Sequence, residues 1–403
     1  MRPCEIVTTS TEKSSRNRVF ALSIHADYRC QHSGACCTSD WDVPVEIPLY
    51  RSLEDALSRS TLTPAAVADG SDPPLIVDED LPEDAGAMIA RTSTGDCVFY
   101  HRHSGLCVIH RDLGEPMLPS TCRQFPRLAV RDPRGTFISL THYCPTAAAS
   151  LFRDDVPIEI VEDPPAFPDA EYDGLVVTAD EWPPLLHPRM LTDLAGYDAW
   201  ERHMVSRCAG VALTPEGVIA TLERDARLLR AQPFGLPKDI QATVSDETLE
   251  RESIVCAVAE LPRDGVTADQ PATLVPSLVR HREVMLAIPT EWRPAPDENG
   301  LERAFQEAVR PRWSEWSVPL KRYLAAKAFA SWTAYQGRGL LTIVRGIDAA
   351  LALVRVEAAR QCRDRRQPLD GALLREAIRL ADYALNHLAS GDELATVWSE
   401  AEA

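Results

Sequence analysis

The crowding of cysteines into one stretch constrains this chain more than any other feature of its sequence. Eleven cysteines in 403 residues are too dilute for a fold held together by disulfides. Seven of them nevertheless fall in one region, at Cys30, Cys36, Cys37, Cys97, Cys107, Cys122 and Cys144. Thiols that gather in this way in a reducing compartment are more often metal ligands or catalysts than disulfides. The sequence therefore predicts a metal-binding module.

The charge of the chain narrows the classes of partner. Its 60 acidic and 42 basic residues give a formal charge of −18. Such a field repels phosphate groups, so we expect neither a nucleic-acid partner nor a membrane partner. The start of the chain lacks the apolar segment of a secretory signal, and the longest apolar stretch, Ile347–Val356, is too short to span a bilayer. We therefore expect a cytoplasmic protein.

Composition and periodicity divide the chain into four segments. Seven prolines between residues 157 and 188 disfavour both helix and strand pairing, which indicates a connector. Apolar residues at helical spacing follow it, and this pattern is typical of a helical bundle. The predicted segments are a flexible arm at 1–20, a cysteine-cluster metal-binding domain at 21–150, a Pro-rich connector at 151–189 and an α-helical domain at 190–403.

The predicted fold class is α+β, with a small, cysteine-rich, loop-heavy metal-binding module followed by a mainly α-helical C-terminal domain. Short apolar runs predict strands at Val19–Ile24 and Thr136–Leu140. Helices are predicted at Thr214–Gln232, Leu320–Gln336, Leu340–Arg360 and Leu369–Ser390.

Zinc and an iron–sulfur cluster are the two groups that suit such a set of thiols. Structural zinc sites usually use closely spaced cysteine pairs, and the chain contains no C-x-x-C. Neighbouring side chains also tend to point apart, so we expect that Cys36 and Cys37 do not both bind one zinc ion. An iron–sulfur cube takes one thiolate at each corner, so single cysteines on separate loops suit it. The spacing favours a 4Fe–4S cluster, and zinc stays the alternative.

The stretch from Tyr100 to Arg134 is locally basic, with six arginines against three acidic residues. This positive charge would offset the negative charge of a thiolate-bound cluster, or attract an anionic small ligand. The arginines at positions 123, 127 and 131 would equally suit the solvated face of a short element.

These motifs resemble those of the YkgJ-like cysteine-cluster family, which is described as zinc- or iron-chelating and includes the flagellin lysine-N-methylases. The resemblance covers roughly residues 21–150. It is carried by Cys30 with the Cys36-Cys37 doublet, by Cys107-Val-Ile-His110, by Cys122-Arg-Gln-Phe-Pro126 and by Cys144-Pro145. The chain departs from the family in its first block, where the family has more cysteines before the doublet and this chain has only Cys30.

The resemblance implies a bound iron–sulfur cluster or zinc and, as in the methylases, S-adenosylmethionine-dependent N-methylation of protein lysines. All seven clustered cysteines are then candidate metal ligands. Arg123 and Arg127 would hold an anionic group of the cofactor, and the helical domain would receive a lysine-bearing protein. No Gly-rich loop after a strand marks a cofactor site, and no catalytic residue is assigned.

Two other classes of function compete with this interpretation. One is a non-catalytic module in which structural zinc holds a loop-rich domain together and the helices bind a partner. The other is a redox sensor in which oxidation of the iron–sulfur cluster is the signal. Further side chains near the cysteines would ligate metal, accept a proton or simply pack. These are His101, His103, His110, Tyr100, His142 and Tyr143.

Overall fold

The computed structural model describes residues 18–39, 41–70, 73–78, 81–168, 170–177, 185–187, 190–192, 194–231, 254–294 and 297–400. The chain divides into two compact units. The smaller, called the cysteine unit below, comprises Arg29–Leu128 and Cys144–Thr146. The other, called the large unit, comprises the described residues up to Tyr28, Ala129–Tyr143 and those from Ala147 onward.

The described strands are mostly short and the helices lengthen toward the end of the chain. The strands are Val19–Leu22 (β1), Pro44–Glu46 (β2), Leu75–Ile76 (β3), Ala85–Ile89 (β4), Tyr100–His101 (β5), Leu106–Cys107 (β6), Arg127–Asp132 (β7), Gly135–Leu140 (β8), Ile160–Glu162 (β9), Gly174–Val176 (β10), Leu185–His187 (β11) and Met190–Leu191 (β12). The helices are Ile47–Ser58 (α1), Val108–Leu113 (α2), Ser120–Gln124 (α3), Pro145–Ser150 (α4), Leu194–Ala209 (α5), Pro215–Arg230 (α6), Val275–Leu286 (α7), Leu301–Ala304 (α8), Ser317–Ala328 (α9), Leu340–Arg365 (α10), Gly371–Tyr383 (α11) and Gly391–Glu400 (α12).

The cysteine unit is built on a small antiparallel sheet with the strand order β2-β4-β3. Val45 of β2 pairs with Ala87 of β4, and both are fully buried. Helix α1 packs on this sheet and adds Leu53 to the same core. A separate two-stranded hairpin, β5-β6, places Cys107 opposite Tyr100. This small core carries loops that hold most of the clustered cysteines.

The sheet of the large unit has the strand order β10-β7-β8-β1-β9. Strand β1 lies parallel to β8, with Phe20 opposite Phe137 and their rings stacked 4.9 Å apart. All six residues of β8 are buried, as expected for a strand covered on both faces. The predicted strands are confirmed, although β1 ends at Leu22 because Ser23–His25 form a 3-10 turn.

Helix α10 is the centre of the helical part of the large unit. Most of its residues are buried, and it packs against α6, α7, α9, α11 and α12. A helix that is apolar on most of its surface is normally surrounded by others in this way. Helix α11 begins at an N-cap, Asp370, whose carboxylate accepts the N–H groups of Ala372 and Leu373. The predicted helical character of the C-terminal region is confirmed.

The prediction of one continuous helix over Leu320–Gln336 is wrong. Helix α9 ends at Ala328, and Ala330 has a left-handed φ of +53°. The N–H of Ala330 donates to the buried Glu201 carboxylate at 2.9 Å. The Glu201 carboxylate thus accepts the N–H that would donate to a main-chain carbonyl oxygen if the helix continued. The chain resumes as a 3-10 turn at Trp332–Gln336.

The unit boundaries differ from the predicted segments. Residues 129–143 belong to the large unit because β8 pairs with β1 there. The predicted connector at 151–189 supplies β9, β10 and β11, and β10 pairs with β7 in the large sheet. Of the predicted arm at 1–20, residues 1–17 lie outside the described residues. No helix within the described ranges is long and apolar enough to cross a membrane.

Candidate metal centre

The Cys36–Cys37 pair lies in a 3-10 turn that spans Ala35–Cys37. Gly34 precedes it with a left-handed φ of +77°, a conformation that favours glycine. A Cβ at Gly34 would also overlap the side chain of Tyr100. Within the turn the two Sγ atoms are 3.8 Å apart. The expectation that these neighbouring side chains point apart is therefore wrong, because the tight turn brings both thiols to one side.

Main-chain hydrogen bonds tie Cys97 to this turn. The N–H of Cys97 donates to the carbonyl oxygen of Cys37 at 2.7 Å, and the N–H of Tyr100 donates to the carbonyl oxygen of Cys97 at 2.9 Å. The β5-β6 hairpin then brings Cys107 opposite Tyr100. Three of the predicted ligands are thus connected through backbone geometry.

The remaining predicted ligands come from three separate segments of the cysteine unit. Cys122 lies in α3, Cys144 directly precedes α4 and is buried, and Cys30 is exposed. Helix α3 is held at its start by Glu46, whose Oε1 accepts the N–H of Ser120 at 2.7 Å. All seven predicted ligands therefore belong to the cysteine unit, whereas Cys208, Cys256 and Cys362 lie in the large unit.

The buried thiols of this unit affect one another's ionisation. Burial raises the pKa of Cys122 well above its ordinary value, and charges at Cys36, Cys97 and Cys107 raise it further. Burial likewise raises the pKa of Cys97 to about 11. Burial and neighbouring charges both disfavour the thiolate form here, so several thiolates at these positions would be unfavourable without a cation.

Cys36, Cys37 and Cys30 also have shifted pKa values. The thiol–thiol contact between Cys36 and Cys37 lowers the pKa of Cys36 and raises that of Cys37. Partial desolvation raises the pKa of Cys30, with smaller contributions from charges at Cys36 and Cys144. Cys30 is therefore within electrostatic reach of both Cys36 and Cys144.

Arg91 is a residue of this site that sequence reasoning missed. It is half-buried and forms a β-bridge with Cys97. Its Nη1 donates to the carbonyl oxygen of Cys37 at 3.4 Å, and its Nη2 donates to that of Trp41. No motif marks Arg91, because its position depends on the pairing of distant segments.

Zinc and an iron–sulfur cluster make different demands on the arrangement of the donor atoms. Within the described part of the chain, no group of three or more cysteine, histidine, aspartate or glutamate side chains is placed to hold a metal ion. Tetrahedral zinc with Zn–S bonds of about 2.3 Å requires sulfur atoms roughly 3.8 Å apart. The Cys36–Cys37 pair meets that spacing. The donor chemistry of this pair suits a thiolate-bound metal, whereas the full set of predicted ligands is not arranged around one ion in the described residues.

The histidines of the unit lie around the cysteine set. The Nδ1 atom of His101 is 2.7 Å from the hydroxyl of Ser104, and His103 is exposed. The rings of His32 and His110 are 5.8 Å apart. These contacts fit surface histidines better than metal ligands.

The arginines predicted to bind a cofactor lie in and just after α3. Arg123 is exposed, and the Nη1 of Arg127 donates to its carbonyl oxygen at 2.8 Å. The charge of Arg127 favours the thiolate form of Cys30. Their role toward a cofactor stays a prediction.

The large unit contains a second, mostly buried group of polar side chains around Asp382. The carboxylate of Asp382 accepts the N–H of His142 at 2.6 Å and the hydroxyl of Tyr323 at 2.6 Å, and it pairs with Lys327. The Nε2 atoms of His142 and His25 are 3.2 Å apart. Burial lowers the pKa of both histidines.

Tyr143, a candidate proton acceptor, packs within the large unit. Its ring lies 4.7 Å from that of Tyr383 and 5.7 Å from that of His387, and Arg379 lies over it. Tyr100, another candidate, packs against Gly34 in the cysteine unit. The packing interpretation is the one these contacts support for both tyrosines.

Comparisons with protein-family models, with curated proteins and with solved structures gave no match.

Proposed function

We propose that this chain is a metal-cluster protein whose cysteine unit holds an iron–sulfur cluster. The observation that carries the proposal is that predicted ligands from separate segments of the cysteine unit influence one another's ionisation. Cys36, Cys97 and Cys107 all influence the ionisation of Cys122. Burying several thiols together without disulfides is typical of a unit that binds a soft cation.

The distribution of the cysteines over separate segments favours a cluster over a single ion. One ion needs three or four donors at close range, and the described side chains do not offer such a set. A cluster is wider and accepts one thiolate at each corner. Cys97, Cys107, Cys122 and Cys144 each come from a different element or loop, which suits that requirement.

A structural zinc ion is the second candidate. It is favoured by one observation, the 3.8 Å separation of Cys36 Sγ and Cys37 Sγ, which matches an edge of a zinc–thiolate tetrahedron. In that case the metal would stabilise a unit with a small apolar core, and the function would lie in the helices.

The activity that we propose for the cluster protein is N-methylation of protein lysines with S-adenosylmethionine. The lysine amine would attack the methyl carbon, forming a C–N bond as the C–S bond breaks; the sulfur keeps the electron pair and the amine loses a proton. The resemblance alone supports this activity.

The metal is tested first on the full chain purified without oxygen. Iron and sulfide in near-equal amounts, with a broad brown absorbance, are the expected result. A colourless protein with stoichiometric zinc would contradict the cluster and support the structural ion.

The ligands are tested by single serine substitutions. Cys36→Ser, Cys97→Ser, Cys107→Ser, Cys122→Ser and Cys144→Ser should each reduce iron and sulfide content. Cys256→Ser, in the large unit, is the matched control and should leave the content unchanged. Equal losses in all six variants would point to unfolding rather than to lost ligands.

The activity is tested with S-adenosylmethionine labelled in its methyl group. Equilibrium dialysis of the metal-loaded chain should show binding of the labelled compound, and transfer should appear on lysines of an added protein. Full metal content without binding of S-adenosylmethionine would contradict the methylase activity but not the proposed cluster.

A further inference from the structure

The thiols of Cys36 and Cys37 lie close to bonding distance. Their Sγ atoms are 3.8 Å apart, and a disulfide bond is about 2.05 Å long, so a small movement would be enough to join them. The turn that carries both residues is closed by the N–H of Cys37, which donates to the carbonyl oxygen of Gly34 at 2.9 Å. The main chain therefore keeps the two sulfur atoms near each other.

Both thiols of this pair are also accessible. Cys36 and Cys37 are half-buried, and Thr38, which follows them, is exposed. Cys97 and Cys144, by contrast, are buried. Thiol–disulfide exchange requires access to the sulfur atom as well as a nearby second thiol. The pair meets both requirements for oxidation by a small molecule from solution.

A disulfide between two adjacent residues is easier to reduce than an ordinary one. The peptide bond between Cys36 and Cys37 is trans, which places their Cα atoms about 3.8 Å apart. Ordinary disulfides join Cα atoms about 4.4–6.8 Å apart, and departures from this range make the bond more reducible. Easily reduced disulfides are typical of regulatory pairs, whereas structural ones resist glutathione. Reversible oxidation is therefore favoured over a permanent cross-link.

Formation of this bond would act on the main chain of the turn. The small ring that results contains the peptide bond between the two cysteines, so its closure constrains the main-chain dihedral angles there. The carbonyl group of Cys37 is attached to this ring. Its oxygen accepts the N–H of Cys97 at 2.7 Å and the Nη1 of Arg91 at 3.4 Å. Reorientation of this carbonyl group would weaken the link to Cys97.

We infer that Cys36 and Cys37 form a reversible dithiol–disulfide switch, whose closure weakens the main-chain hydrogen bond between Cys37 and Cys97. The co-reactant is a low-molecular-weight disulfide such as oxidised glutathione. Transient disulfides of this kind are the ones that occur in reducing compartments. The inference goes beyond the proposed metal centre and does not depend on it, because it concerns the thiols of the metal-free chain.

The exchange proceeds in two balanced steps. One thiolate of the pair attacks a sulfur atom of the small disulfide; a new S–S bond forms as the old one breaks, and one small thiol leaves with the electron pair. The second thiol of the pair then attacks the protein sulfur of this mixed disulfide and releases the other small thiol. The pair loses two electrons and two protons, which the small disulfide takes up. An excess of the small thiol reverses both steps.

The experiment uses the full chain, reduced and freed of metal by a chelator. It is incubated with an excess of oxidised glutathione, and the remaining thiols are blocked with iodoacetamide before digestion with trypsin. Trypsin releases residues 30–51 as one peptide, which contains Cys30, Cys36 and Cys37. Cys30→Ser is the matched control, because Cys30 is the exposed thiol of the same peptide. Mass spectrometry counts the blocked thiols.

We expect the oxidised peptide to carry one blocked thiol, at Cys30, instead of three, and to have lost two hydrogen atoms. In Cys30→Ser the peptide should carry none instead of two. Hydrogen–deuterium exchange in peptides that contain Cys97 should become about 2–10-fold faster on oxidation, the change expected for the loss of one hydrogen bond. Peptides from α10 serve as the internal control. Excess reduced glutathione should restore both readouts.

Each part of the inference has an outcome that overturns it. Three blocked thiols after oxidation, or glutathione attached only to Cys30, would show that the pair does not form the bond. Loss of the bond in Cys30→Ser would show that Cys30 is one of the partners. A bond that survives excess reduced glutathione would overturn reversibility, and unchanged exchange at Cys97 would overturn the coupling. Metal content is measured separately, so none of these results decides the metal centre.

Discussion

The backbone N–H of Cys97 donates to the carbonyl oxygen of Cys37 over 2.7 Å, although the two residues are far apart in the sequence. The thiols of the cysteine unit are therefore placed by main-chain pairing and turn geometry. Side chains held by rigid backbone keep their relative positions before any ligand binds.

Replacing Gly34 should disturb the cysteine set. In Gly34→Ala the alanine must adopt a left-handed backbone conformation, which costs about 1–2 kcal/mol. Its Cβ also overlaps the side chain of Tyr100. Gly70→Ala is the matched control, because Gly70 has a φ of +63° and nothing within 4 Å of the added atom. Urea unfolding and metal content should show a larger loss in Gly34→Ala. Equal losses in the two variants would mean that the contact with Tyr100 is unimportant.

Asp382 should be essential for the stability of the large unit. Its carboxylate compensates the charge of Lys327, so Asp382→Asn leaves a buried cation without its counter-ion and should cost about 3–5 kcal/mol. Tyr323→Phe removes one hydrogen bond and should cost about 1–3 kcal/mol. Adding Lys327→Met to Asp382→Asn should recover part of the loss in urea unfolding. No recovery would show that the ion pair is not the source of the effect.

His281 should make stability depend on pH. Burial and the charge of Arg360 lower its pKa to about 4, so the folded protein resists a proton that the unfolded chain accepts below about pH 6.5. The free energy of unfolding should therefore fall as the pH drops from 6.5 to 4. Over this range the free energy of unfolding of His281→Phe should fall by up to about 3 kcal/mol less than that of the unchanged protein, at 1.4 kcal/mol per pKa unit. Parallel pH profiles of the two proteins would contradict this.

Glycine in place of Arg366, at the end of α10, should raise the stability of the protein. Arg366 follows the helix with a left-handed φ of +54° and is exposed. Arg366→Gly should raise stability by about 1 kcal/mol, because glycine adopts this conformation without strain. Arg365→Gly, one residue earlier and still helical, should lower it by a similar amount. A thermal unfolding series on both variants measures the two signs.

Local patterns in the sequence were enough to predict several parts of the fold. Apolar runs identified β1 and β8, and helical spacing identified α10 and α11, since these elements are set by residues near one another in the chain. The break after α9 was missed because it depends on Glu201, a distant side chain that binds the N–H of Ala330. Tertiary contacts of this kind leave no local signal.

The candidate site, like the fold, could be predicted only in part. Residue types were enough to single out the cysteines. They did not reveal Arg91 or the orientation of Cys36 and Cys37, because both follow from turn geometry and from long-range pairing. Of the group around Asp382, the sequence singled out only His142. The members of this group, His25, His142, Tyr323 and Lys327, come from separate elements and form no motif.

The cysteine unit is discontinuous in the chain, since Cys144–Thr146 joins Arg29–Leu128 only after β7 and β8 have intervened. During synthesis on the ribosome, six of the clustered cysteines emerge before the seventh exists. A nascent chain that stops short of residue 144 therefore carries an incomplete set of thiols. If the proposed metal centre uses the full set, its metal would be inserted only after residue 144 has been synthesised, and a fragment cut at residue 128 would lack one of the predicted ligands.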